Sequence, residues 1–287
     1  MKPELIIRIF TICSLAGLLL AVGMRLTFGQ VVESVRRCRF GLILVVNFAA
    51  VPLVCALAAK WAGLGQDTAT AMVLLGAAPF APVVPVFARM ARADIALAAG
   101  LTSVYPVISA FLTPWVSGFA LKVATGAGGP QFASGQVMLL LVATITFPLL
   151  LGVGLNQFAP RASQQWLRVV EVVSEAAGAI SLGYVTIVEF HAIVGMSGKA
   201  LLVMAGVFEL CLAAGYWLGH DKGSRRVVAL GTSNRNIALA LLMALQSFPS
   251  LHVVSAVVGN GLVLILLGLA HVGCWNLRDR RHRGGIS

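Results

Sequence analysis

The residues of this chain that could do chemistry fall into two short stretches set in apolar surroundings. One is Gly231-Thr232-Ser233-Asn234-Arg235-Asn236, six small or polar residues followed at once by IALALLMAL. An arginine at the centre of a membrane helix costs about 2.5–3.5 kcal/mol on insertion scales, so such a run is kept where it lines a cavity. The other is GAAPFAPVVPVFARMAR, where Pro79, Pro82 and Pro85 each remove a backbone donor and predict a helix break. Carbonyls freed at membrane depth must face protein or water, so a broken helix marks a solvated site. Hydroxyls, amides, a guanidinium and half-helix N-termini are groups that hold anions. Isolated acids complete the set: Glu175, Glu189 and Glu209, of which Glu209 sits centrally in VMAGVFELCLAAGYW. It needs a partner or a neutralising shift. Arg235, a protonated carboxyl and a watery surrounding all answer that need.

Composition says what must position these stretches. The 287 residues are 59% hydrophobic and 11% charged, against roughly 25% charged in soluble domains, and the mean hydropathy is +0.93. This excludes a cytosolic enzyme, a disordered chain and a nucleic-acid-binding domain. The net charge of +11 lies in clusters between apolar runs, without the basic stripe interleaved with aromatics that nucleic acid requires. Cys13, Cys38, Cys55, Cys211 and Cys274 are scattered, with no C-x-x-C pair, and the five histidines are dispersed, so no metal site is expected. No paired acids, His–Cys set or activated nucleophile is present for an intramembrane enzyme, and no cofactor motif occurs.

Crossing a bilayer takes about 20 apolar residues as helix. Spans are predicted near 5–27, 40–62, 69–88, 95–121, 136–157, 167–194, 200–219, 227–248 and 252–275, joined by short Gly-, Pro- or polar-rich loops. The residues from Ile237 to Gln246 are too few to cross alone, so the polar run belongs inside the eighth span. The expectation is one all-α polytopic membrane domain over 1–287, with 277–287 a basic cytoplasmic tail. The first apolar run lacks a convincing A-x-A site and is read as a retained helix rather than a signal peptide. Alternate loops then carry fourteen Lys and Arg on one side, from Arg36, Arg37 and Arg39 to the tail, against five on the other. The positive-inside rule predicts an outer N-terminus and a cytoplasmic C-terminus, in a plasma membrane of the bacterial inner type. Two interrupted spans in corresponding positions are the pattern of inverted-repeat transporters, whose crossing forms a midplane site.

At these residues the chain resembles the bile acid:sodium symporter family. GMRLTFGQV and VVNFAAVPLVCALA are similar to two early helices, with Asn47 where relatives often carry glutamine. The specific segments are APFAPVVPVFARMARADIALAAGLTSVYPVISAFLTP, in register from Pro79 through Pro114, and GTSNRNIALALLMA, which resemble the two crossing helices. The resemblance implies nine helices of a ten-helix pattern, with a core domain moving against a panel domain and the substrate between them. The implied substrate-binding residues are Asn47, Thr102, Thr232, Ser233, Asn234, Arg235 and Asn236, with Pro79, Pro82, Pro85 and Gly231 at the helix breaks. Sodium-binding members carry Ser-Asn where this chain has Val84 and Pro85, a hydroxyl where it has Ala98, a glutamate where it has Gly231 and a glutamine where it has Arg235. Thr102 and Asn236 match the sodium-binding pattern and Asn47 is a conservative change, but the key ligands are replaced, and Arg235 is expected to stand in for the bound cation and to pair with the carboxylate of a small organic anion. Glu209 is the candidate proton carrier or ion-pair partner of Arg235. The expected function is secondary active or facilitative transport of organic anions by alternating access; the alternative is a receptor-like protein that binds ligand on the same scaffold without turnover. The expected partners are that anion and the lipid bilayer, and the sequence points to no particular oligomeric state.

Overall fold

The computed structural model describes residues 3–25, 28–126, 131–248 and 251–284. Lys2, residues 127–130 of the loop after the fourth span, and the last three residues of the tail lie outside them. The helices, in order, are α1 (Pro3–Arg25), α2 (Phe28–Arg36), α3 (Phe40–Trp61), α4 (Gln66–Gly76), α5 (Val84–Met90), α6 (Ile95–Thr125), α7 (Ser134–Phe158), α8 (Pro160–Val188), α9 (Phe190–Val194), α10 (Gly198–Leu218), α11 (Lys222–Ser233), α12 (Ile237–Ser247) and α13 (Leu251–Gly284). Eight continuous or near-continuous stretches are long and apolar enough to cross a membrane. The two half-helices α4 and α5 together make the predicted third span. The chain is an all-helical polytopic membrane protein.

Several predicted boundaries shift for local reasons. The sixth span starts at Pro160, because proline is well placed in a first helical turn, and ends at Val188, with α9 separate. The ninth continues well past 275, so most of the tail is helical. The short helix α2 was not foreseen; its side chain Ser34 lies against Gly100, where a Cβ would come within 1.9 Å of its hydroxyl. Helices α3 and α7 each contain a π-helical turn, Val46–Ala50 and Val142–Thr146, just upstream of Pro52 and Pro148. A wide turn there accommodates the proline's missing donor.

Two packed bodies follow from small residues. Helix α1 lies mainly against α7 and α8. A Cβ on Gly23 would meet the Leu149 carbonyl at 2.2 Å, and one on Gly152 the Leu20 carbonyl at 2.2 Å, so those backbones touch. Against α8, Gly17 faces Ser174, Gly178 faces Ser14, and the Thr11 and Ser181 hydroxyls bond at 2.7 Å. Close approach through small residues is how helices associate in lipid, where apolar burial adds little. The remaining spans pack around α4, α5, α11 and α12.

The loops assigned to one side meet at one end of the molecule. Arg226 pairs with Asp279 and donates to the Ala91 carbonyl at 2.7 Å, Lys222 reaches Asp279 at 2.6 Å, and Asn276 donates to the Met90 carbonyl. Arg25 pairs with Glu171 at the same end. At the other end Arg8 reaches Gln246, Phe132 meets Phe248, and the Ser255 hydroxyl donates to Glu189.

Candidate functional site

The two broken spans are tied to each other through their backbones. The Phe80 N–H donates to the Gly231 carbonyl at 3.2 Å, Ala81 N–H to the Asn234 carbonyl at 3.3 Å, and Asn236 N–H to the Ala78 carbonyl at 2.8 Å. The groups released by each break are therefore satisfied by the other. Pro79 and Pro82 fall in the break between α4 and α5, whereas Pro85 lies in the first turn of α5, where its missing donor costs nothing. Phe80 turns the chain with a left-handed φ of 53°. Its ring stacks on Tyr105 at 4.0 Å between centroids and covers Gly231.

Gly231 does not break its helix. Helix α11 continues through Ser233, and the break is Asn234-Arg235-Asn236 alone. The glycine is required because a Cβ there would sit 2.1 Å from the Phe80 ring.

The predicted polar residues divide into four groups. Asn47, in the π turn of α3, donates to the Ile43 carbonyl and to the Thr232 hydroxyl at 3.2 Å, and its Oδ1 accepts from Arg235 at 3.1 Å. Thr102 and Ser233 turn their hydroxyls back to Ala98 and Ala229 of their own helices. Asn236 caps α12, its Oδ1 accepting the Leu239 N–H at 3.1 Å. Asn234 is 3% exposed, and neither its amide nitrogen nor its amide oxygen has a partner.

A cavity of about 250 Å³ opens between the α1–α8 face and the crossing. From α1 and α8 it is lined by Thr11, Ser14 and Ser181, and from the crossing by Asn234, Arg235 and Asn236, with apolar walls such as Leu241 and Ile265. The N-terminus of α12 faces it through Ile237 and Ala238. Sequence reading missed Thr11, Ser14, Ser181 and Phe80; the small-residue spacing along α1 and α8 carried a signal for the first three, and Phe80 had none.

Arg235 is 3% exposed, and its guanidinium reaches Asn47 and, at 4.0 Å, the Cys211 sulfur. Neither residue lines the cavity. The charged end thus points into the core, and the expected contact with a substrate carboxylate is not made by this arrangement. The expected ion pair with Glu209 is also absent. Glu209 is half exposed on the outer face of α10 and bonds His271 of α13 at 2.9 Å, and among the described residues no carboxylate pairs with Arg235. Two positions where the resemblance places sodium ligands, Val84 and Ala98, are buried in one cluster with Phe80 and Tyr105, whose partnerless hydroxyl is the one side-chain oxygen of the four. One free hydroxyl, with the Thr102 hydroxyl turned to Ala98 and no carboxylate beside them, is a poor fit to the several oxygens and the negative charge that a sodium ion needs. Among the described residues no group of three or more His, Cys, Asp or Glu could hold a metal.

Comparison with known proteins agrees with this architecture. A profile described as "Sodium Bile acid symporter family" matches residues 12–198. The chain is 23% identical over 270 residues to "Probable sodium/metabolite cotransporter BASS3, chloroplastic" of Arabidopsis thaliana, covering 91% of this chain and 61% of that protein. It is 25% identical over 284 residues to "Probable sodium/metabolite cotransporter BASS1, chloroplastic" of the same plant, covering 93% and 66%. A rice relative (Oryza sativa subsp. japonica), also a "Probable sodium/metabolite cotransporter BASS3, chloroplastic", is 22% identical over 91% of this chain and 62% of its own length. The chain thus spans somewhat under two thirds of the length of these curated relatives. With two broken helices crossing at a polar midpoint and a family match over most of its length, this integral membrane protein belongs to the sodium bile acid symporter family.

Proposed function

We propose that the protein carries a small organic anion across the membrane by alternating access, the α1–α7–α8 panel moving against the crossing-helix core. The membrane is a plasma membrane of bacterial type, with the N-terminus outside and the C-terminus in the cytoplasm, the orientation favoured by its basic loops. The observation that carries this reading is the cavity at the N-terminus of α12, where a 97%-buried amide has no protein partner. A helix N-terminus offers unpaired N–H groups and a positive dipole end, which favour an anion. Asn234 and Ser14 add neutral polar groups beside the Thr11–Ser181 hydroxyl pair, and the apolar walls take a hydrocarbon body. The substrate is thus a carboxylate or similar anion on a compact apolar frame.

Asn234→Leu keeps the volume and removes two unpaired polar atoms. Losing an unsatisfied buried group is neutral or stabilising, so the unfolding midpoint of the apo protein is expected to hold or rise. Stabilisation by a panel of organic anions is expected to fall, with affinity dropping about tenfold or more. An anion that stabilises wild type and variant alike would remove the amide from the site. A protein that no organic anion stabilises would contradict the reading.

A further inference from the structure

The guanidinium of Arg235 is buried, has no ion-pair partner among the described residues and points away from the cavity, which leaves its charge to be accounted for. Two helix ends answer it. A void of about 10 Å³ is bounded by Arg235, Ser233 and Gly76, with Cys55 and Cys211 beside it. Gly76 is the last residue of α4, and Ser233 is the last residue of α11. Each C-terminus carries roughly half a negative charge, so two together offset about one cation. In transporters built on broken helices, half-helix C-termini and unwound carbonyls are where a coupling cation binds. We infer that the Arg235 guanidinium is a tethered cation occupying that position, so that this chain assembles its crossing and its anion site without bound sodium. The inference rests on the transport reading above and departs from the sodium coupling in its relatives' names.

Two further observations agree with it. Asn47 anchors the charge through Oδ1 while its amide nitrogen holds Thr232 of α11, so the guanidinium locks the π turn of α3 to the crossing. In the cluster of Val84, Ala98, Phe80 and Tyr105 the Tyr105 hydroxyl is the one side-chain oxygen, and none of the four is a carboxylate that could neutralise a mobile cation. Arg235 is a positioning residue in this account, and a fixed charge cannot couple transport to an ion gradient.

The test compares sodium chloride with choline chloride at equal ionic strength, on purified protein and in sealed proteoliposomes supplied with the anion that most raises the wild-type midpoint. For wild type, sodium is expected to give no saturable rise in the unfolding midpoint, and anion uptake is expected to be equal in the two salts. Arg235→Gln is expected to lower uptake by about tenfold or more, while Arg235→Lys, which keeps the charge, retains at least about half of it. A saturable sodium stabilisation of wild type, or uptake that requires sodium, would overturn the inference. So would an Arg235→Gln protein equal to wild type in midpoint and uptake. Should no anion enter in either salt, the transport reading fails by itself, and the midpoint of wild type against sodium still decides the tethered cation. If Arg235→Gln does not fold, the wild-type salt comparison and Arg235→Lys decide it.

Discussion

At the scale of single residues, Gly231 shows how a sequence signal can be right in place and wrong in cause. It stands in a polar run and reads as part of a break, yet it lies within α11 under the Phe80 ring. Replacement by alanine would gain up to about 1 kcal/mol of helix propensity. It would also drive a methyl into a ring held by its stack on Tyr105, and overpacking costs about 1–3 kcal/mol. With the ring carbon only 2.1 Å from the added Cβ, the clash prevails. Gly231→Ala is expected to lower the unfolding midpoint, and a double variant with Phe80→Leu to lose less than the sum of the two. Strict additivity in that cycle would show that the ring does not impose the glycine. Arg235, Asn234 and Asn236 were legible because charge and amides are conspicuous in an apolar run. Their division of labour was not, since where a guanidinium points depends on α3 and α10, far away in the chain.

At the scale of elements, proline spacing and polar runs showed which spans are interrupted, and the loops fell where Gly and Pro lie. Helix α2 and the π turns escaped, because an interfacial helix and a one-residue widening leave no apolar period of their own. Helix α11 begins at a capping box: the Asp221 carboxylate accepts from the Gly223 N–H at 2.8 Å and the Ser224 N–H at 3.0 Å, while the Ser224 hydroxyl meets the Asp221 N–H. These bonds, led by that of the Ser224 N–H, hold the carboxyl below its ordinary value. A group whose folded-state pKa is lowered stabilises the fold above the ordinary carboxylate range and loses that contribution as pH falls through it. Asp221→Ala is therefore expected to cost about 1 kcal/mol at neutral pH. The gap between the two midpoints is expected to narrow on acidification. A gap that stays constant with pH would mean that the ionised carboxylate is not the cap.

At the scale of the whole molecule, the all-helical membrane fold was legible in the apolar runs; eight of the nine expected spans are helices long and apolar enough to cross among the described residues, and the third is the pair of half-helices α4 and α5. The resemblance implied a core and a panel without saying which helices form each; that division is visible only in three dimensions, in the Gly23–Gly152 contact and the Ser and Gly seam between α1 and α8. Panel and core meet at the end opposite the basic loops through Arg8 of α1 and Gln246 of α12, 2.5 Å apart. Movement of one body past the other requires this contact to open. The most direct test introduces cysteines at both positions in a Cys13→Ser/Cys274→Ser background, joins them with a short bis-thiol reagent, and follows anion uptake into proteoliposomes. The account predicts that uptake is lost on joining and returns when the tether is made cleavable and cut. Uptake that continues undiminished across a joined panel and core would contradict transport by alternating access.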